Sequence, residues 1–138
     1  MRGIRSRLRD ALDDEGGSSP VEFLLVGTML TLLTLGVLQL GLSIYVRNVV
    51  HAAAVEGAFH ATLADVSLTD GARRTREIIA RTVGAEYAND VEVRETDRLG
   101  HPSVELTVRT TLPLVGLLGA PRAMEVSAHA PLESFDSR

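Results

Sequence analysis

The sequence predicts an α+β protein: a long N-terminal transmembrane helix continuing into a small extracytoplasmic domain of a second helix and a roughly three-stranded antiparallel sheet. Three observations carry this. Phe23 to Ile44 contains no charged residue. Beyond it, apolar residues keep the three- and four-residue steps of a helix. After Asn89-Asp90 the pattern switches to alternation, the period of a strand. With 138 residues, the chain has room for one modest domain.

The uncharged run covers 22 positions, which as a helix would span roughly 33 Å, the thickness of a bilayer core. Its polar members are Thr28, Thr31, Thr34, Gln39 and Ser43. Thr and Ser can return their hydroxyls to the helix backbone, so they cost little in lipid. A soluble helix this uniformly apolar would need a larger protein around it. A cleaved secretory signal fits poorly: its apolar core would be shorter, and the nearest small-residue site, Ala52-Ala53-Ala54, lies beyond Arg47. Arg2, Arg5, Arg7 and Arg9 precede the span and only Arg47 closely follows it. That asymmetry predicts the N-terminus in the cytoplasm and the C-terminal part outside the cytoplasmic (inner) membrane, in a single-pass arrangement.

From Tyr45 to about Leu63 there is no proline and one glycine, so the helix should continue. Val46, Val50, Ala53, Gly57 and Ala61 form one stripe, and Ala53, Gly57 and Ala61 are a small-xxx-small series suited to close helix approach. The stripe can carry the protein's own domain or pack against other subunits; the first reading is favoured here because a small sheet must be buried against something. Arg47 and Glu56 belong to a solvated face.

Thr69-Asp70 should cap a second helix running to about Ala85, with Ala72, Thr75, Ile79, Thr82 and Val83 inward and Arg73, Arg74, Arg76 and Arg81 outward. Val91 and Val93, with Glu95 at the end of the row, and then Val104, Leu106 and Val108, predict a hairpin turning at Leu99-Gly100-His101-Pro102. Leu112 to Gly119 reads as an apolar connection, with Pro113 unsuited to a central strand. Its Leu114–Leu118 stretch is either a contact patch or buried under the sheet. Met124, Val126 and Ala128 form the third strand.

Several function classes are disfavoured. A net charge of −4 without a basic face gives no reason to expect a nucleic-acid partner. The absence of cysteine removes disulfides and thiolate chemistry. His51 and His60 are nine apart, on opposite sides of a helix, and His101 and His129 stand alone, so no metal or other cofactor is expected. No phosphate loop or nucleophile motif appears, and no enzyme is expected.

Before the span lies Gly16-Gly17-Ser18-Ser19-Pro20-Val21-Glu22-Phe23. Read locally, Ser19 to Glu22 is a capping box with Pro20 at the first helical position. The same residues resemble the start of type IV prepilins and pseudopilins. Those proteins carry a hydrophilic leader ending in glycine, cut by a prepilin peptidase, and a glutamate at the fifth mature position. The run from Gly17 to Val26, with Gly41-Leu42-Ser43-Ile44-Tyr45-Val46-Arg47-Asn48 and Ala53 to Ala58 beyond it, is similar to TadE-like proteins over residues 15 to 60.

This resemblance implies a minor pseudopilin of a tight-adherence (Tad/Flp) type IV pilus system, whose filament would serve adhesion, DNA uptake or secretion. It implies cleavage between Gly17 and Ser18, and a Glu22 that neutralises the new N-terminus during assembly. The implied partners are the prepilin peptidase, other pilins or pseudopilins, the pilus assembly platform and the lipid bilayer. The implied organisation is a leader over 1–17, a transmembrane helix with its extension over 18–64 and a domain over 65–138. After processing the chain would reach the cell-surface pilus. The competing reading is an uncleaved, single-pass membrane-anchored accessory protein that binds secretion-system partners.

Overall fold

The computed structural model describes residues 18–98, 100–112 and 120–132. Helix α1 runs over Ser18–Ala61, helix α2 over Leu68–Thr82 and a single 3₁₀ turn over Ala85–Tyr87. Strands β1 (Asp90–Arg98), β2 (His101–Leu112) and β3 (Ala120–Pro131) follow. They form one antiparallel sheet in the order β1-β2-β3. The result is the expected α+β layout of a long apolar helix, a second helix and a three-stranded sheet. By its contacts the chain divides into Met1–Leu38 and Gln39–Arg138. The leader, the turn residue Leu99 and the apolar connection from Pro113 to Gly119 lie outside the described residues.

Helix α1 already includes Ser18 and Ser19, so Ser19 is a helical residue and not the cap that the local reading suggested. Pro20 permits this. Its missing N–H is among the donors a first turn leaves unpaired, and its fixed φ suits the helix.

Around α2 the structure corrects two boundaries. The cap is Ser67, not Thr69-Asp70: Ser67 Oγ accepts from the Asp70 N–H at 3.2 Å, and the Asp70 carboxylate reaches back to the Ser67 N–H at 3.4 Å. This is a capping box in which Asp takes the place of Glu. At the other end α2 stops at Thr82 rather than Ala85, because Gly84 turns away at φ 124°, a conformation that only glycine adopts readily. Ala72, Thr75 and Ile79 are buried as expected, whereas Thr82, expected inward, is exposed.

The hairpin register pairs Arg98 with His101 across a tip where Gly100 has φ 79°. Val91 and Val93 of β1, Val104, Leu106 and Val108 of β2, and Met124, Val126, Ala128 and Ala130 of β3 share the inner face. β3 is longer than the Met124–Ala128 core of the pattern. It has only one neighbour, so it accepts Pro131: the Leu132 N–H donates to the Pro102 carbonyl at 2.9 Å, so the position of Pro131 directs its backbone to the free edge, where no donor is needed.

Candidate functional site

The sequence singled out two places, the entrance of the apolar span and the packed far half of the same helix. At the entrance, Gly17 lies outside the described residues. Ser18 and Glu22 are four residues apart in α1, so their positions lie one turn above the other on one face. Glu22 is exposed, as are its apolar neighbours Val21, Phe23 (80%) and Leu24. Every described large apolar side chain named from Val21 to Tyr45 is exposed in the single chain. The helix is long and apolar enough to cross a membrane, and its most apolar window has a mean hydropathy of 2.1 with none of it buried.

The hydroxyls in this stretch are internally satisfied. Thr28 donates to the Leu24 carbonyl, Thr31 to Gly27 and Thr34 to Leu30, each at 2.8 Å, and Ser43 donates to Gln39 at 2.9 Å. Each is a four-residue back-bond, so these polar groups enter an apolar medium without an orphaned donor.

The far half is built differently. Val46, Val50, Ala53, Ala54, Ala58 and Ala61 are buried, and Gly57 with them. A Cβ built on Gly57 would collide with Thr75 Oγ1 and come within 2.8 Å of the Gly71 carbonyl. One built on Gly71 would come within 2.6 Å of the Gly57 carbonyl and of the Ala61 Cβ. The two helices therefore meet glycine to glycine. Thr75 fastens the crossing, donating from Oγ1 towards the Ala53 carbonyl at 3.2 Å and the Gly71 carbonyl at 3.1 Å. Ala53, Gly57 and Ala61 thus face the protein's own second helix.

The Gly71 contact was missed by sequence reasoning, although the signal was present: Gly71 and Thr75 repeat the small-xxx-small spacing on α2. Also missed was Arg76, expected merely to decorate the outside, which donates to the Val91 carbonyl on the outer edge of β1 at 2.9 Å. Two further arginines of α2 are likewise engaged. Arg73 pairs with Asp70 at 2.8 Å and Glu77 at 3.1 Å, and Arg74 with Glu56 at 2.8 Å. The Arg73 guanidinium and the Ser67 hydroxyl hold the Asp70 carboxyl down at about 2, and the Asp70 and Glu77 carboxylates raise Arg73 in turn. On the outer sheet face Arg109 bridges Glu125 at 2.8 Å and Glu92 at 3.0 Å, which raises its pKa. Among the described residues no group of three or more His, Asp or Glu is placed to hold a metal ion.

Against this geometry, a family model described as TadE-like protein matches residues 17–58. Over this stretch the chain is similar to TadE-like proteins. The matched residues run from the glycine before α1, through the apolar span, to the buried Ala58, and include none of the sheet. A stretch similar to TadE-like proteins, on a helix long and apolar enough to cross a membrane, is consistent with a membrane anchor and fits a Tad pilus-associated protein. No curated protein and no solved structure matches the chain.

Proposed function

We propose that the chain is a minor pseudopilin of a tight-adherence type IV pilus system, a substrate of the prepilin peptidase and not itself an enzyme. The observation that carries this reading is where the likeness begins. The TadE-like match opens at Gly17, the residue after which the leader would be cut, and Ser18, the residue that would then come first, stands in α1 with Glu22. Cleavage between them frees an amine at Ser18. Glu22, one turn on, presents a carboxylate at the entrance of an apolar span, where an isolated charge is expensive. Pairing that carboxylate with the new amine of a neighbouring subunit neutralises both charges when the helix leaves the bilayer. The exposed apolar side chains from Val21 to Tyr45 then exchange lipid for the helices of other pilins.

The arginines of the leader favour an N-terminus in the cytoplasm, with the part of the chain beyond the apolar span outside the cytoplasmic membrane. The partners in this reading are the prepilin peptidase, other pilins or pseudopilins and the assembly platform. The test is the intact mass and N-terminal sequence of the protein recovered from membranes of its native host. A chain beginning at Ser18, with cleavage lost on Gly17→Lys, supports the reading. A chain still beginning at Met1 in cells with an active prepilin peptidase sinks it and favours the uncleaved anchored accessory.

A further inference from the structure

The exposed large apolar residues of α1 fall into two groups. From Val21 to Tyr45 they belong to the apolar span, and lipid or neighbouring helices account for them. Phe59, near the far end of the helix, and Leu63, just past it, 56% and 55% exposed, stand apart and have no such explanation. With Val66, Leu68 and Leu132 they line a hollow of about 900 Å³ where α1 ends, α2 begins and the inner face of the sheet runs past both.

One feature of this hollow fixes the chemistry of what it takes. Glu95 follows Val91 and Val93 on the inner row of β1 and lines the hollow where a fourth apolar residue would complete the row. Glu56, the other carboxylate in the lining, is held by Arg74. Glu95 forms no ion pair or hydrogen bond among the described residues. It also borders a smaller adjoining hollow of about 280 Å³ with Asp97. The last carbonyls of α1 add the negative end of the helix dipole to the same place. An apolar floor with an unneutralised carboxylate at its wall complements an apolar side chain next to a cation.

We propose that this hollow docks a segment of another protein, one that seats an apolar side chain between Phe59 and Leu63 and sets a Lys or Arg against Glu95. The chain's own residues 133–138 hold Phe135 and Arg138, but Glu133 and Asp136 stand closer to that phenylalanine and would bring carboxylates to Glu95. A lipid tail would satisfy the apolar floor and leave the carboxylate unanswered.

The test uses the full chain in membranes of its native host, with a photoreactive phenylalanine analogue at position 59 or 63 and, as a control, at the exposed Thr69. The expected result is an adduct from 59 or 63, absent from 69, mapped by mass spectrometry to a different protein within a turn of a Lys or Arg. Glu95→Lys should abolish that adduct, and reversing the mapped basic residue to Glu in the Glu95→Lys background should restore it. Because Glu95 is exposed, Glu95→Lys and Glu95→Gln should leave protein level and helix content unchanged, which separates lost docking from lost folding. Four results overturn the proposal: no adduct from either position; an adduct to lipid, to a second copy or to residues 133–138; an adduct indifferent to Glu95→Lys; or an effect of Glu95→Gln on aggregation alone, which would make Glu95 merely a guard on the edge strand β1.

Discussion

The two halves of α1 are one uninterrupted helix with opposite rules for what may stand on it. Gly27, Gly36 and Gly41 lie in the apolar half, and a Cβ on any of them would meet nothing within 4 Å. Gly57 lies in the packed half and is hemmed in by Thr75, Gly71 and Leu106. The residue type is the same and the consequence is reversed. In the first half large apolar side chains are displayed in bulk; in the second, the inward face is alanine, valine and glycine. Hydropathy alone does not separate the displayed surface of the first half from the inward face of the second, since both are apolar. Side-chain volume does: a helix that must touch another backbone sheds its side chains there, and one facing lipid or loosely held neighbours keeps them.

The sharpest way to break that comparison is to make one substitution in each half. Gly57→Leu should destabilise the Gln39–Arg138 unit by about 3 kcal/mol or more, the upper range for forcing volume into a packed core. Thermal melts of the detergent-solubilised full chain, followed by circular dichroism, would show it as a loss of the cooperative transition. Gly36→Leu should leave that transition in place, because the position is open. Equal damage from both would mean that the two halves do not differ as described. The converse substitution tests the apolar half. Leu33→Arg places a charge near the middle of the span at a cost of about 3 kcal/mol, and membrane fractionation should find less of the chain integrated. Its effect on a melt of the folded unit should be small.

How much of this was legible beforehand depended on whether a signal was local. The stripe Val46, Val50, Ala53, Gly57, Ala61 could be read from spacing, and every member is buried, because a helical period is a property of the chain itself. The partner of that stripe could not be read from spacing alone. Gly71 and Thr75 are recognisable only once α2 is laid back along α1, a relation between distant residues. Cap positions failed for a narrower reason. Thr69-Asp70 and Ser67 all carry capping side chains, and what selects Ser67 is that Asp70 can then answer at the third helical position. The strands were found from alternation, while β3 runs beyond Met124–Ala128 on both sides, from Ala120 to Pro131. For the candidate site, Gly17, Ser18 and Glu22 were legible only as a resemblance, since nothing in helix periodicity marks a cleavage point.

A smaller effect is expected where the two helices are fastened rather than merely fitted. Thr75 is fully buried, and its hydroxyl is the polar link between α2 and the Ala53 carbonyl. Thr75→Val keeps the volume and removes the donor, so it should cost about 1 kcal/mol. It should move the melting transition far less than Gly57→Leu does. If the two substitutions were equivalent, the hydroxyl rather than the missing Cβ would be what holds the crossing.

The smallest effect concerns pH, and it separates the start of α2 from the crossing it supports. Asp70 has its pKa lowered from 3.8 to about 2 by the Arg73 guanidinium and the Ser67 hydroxyl and amide. A carboxyl whose folded pKa lies below its unfolded value favours folding once it is ionised. That contribution is therefore complete above roughly pH 4, falls away between the two values, and is gone below about 2. Asp70 is exposed to solvent, so the change should be confined to the first turn of α2, without global unfolding. Amide exchange should speed up at Asp70 and Gly71, whose N–H groups bond Ser67, while the Thr75 crossing stays protected. Asp70→Asn should remove most of this acid dependence, because its amide can still cap but does not titrate. Loss of protection at Thr75 over the same interval would show instead that the capping box and the glycine crossing open as one unit.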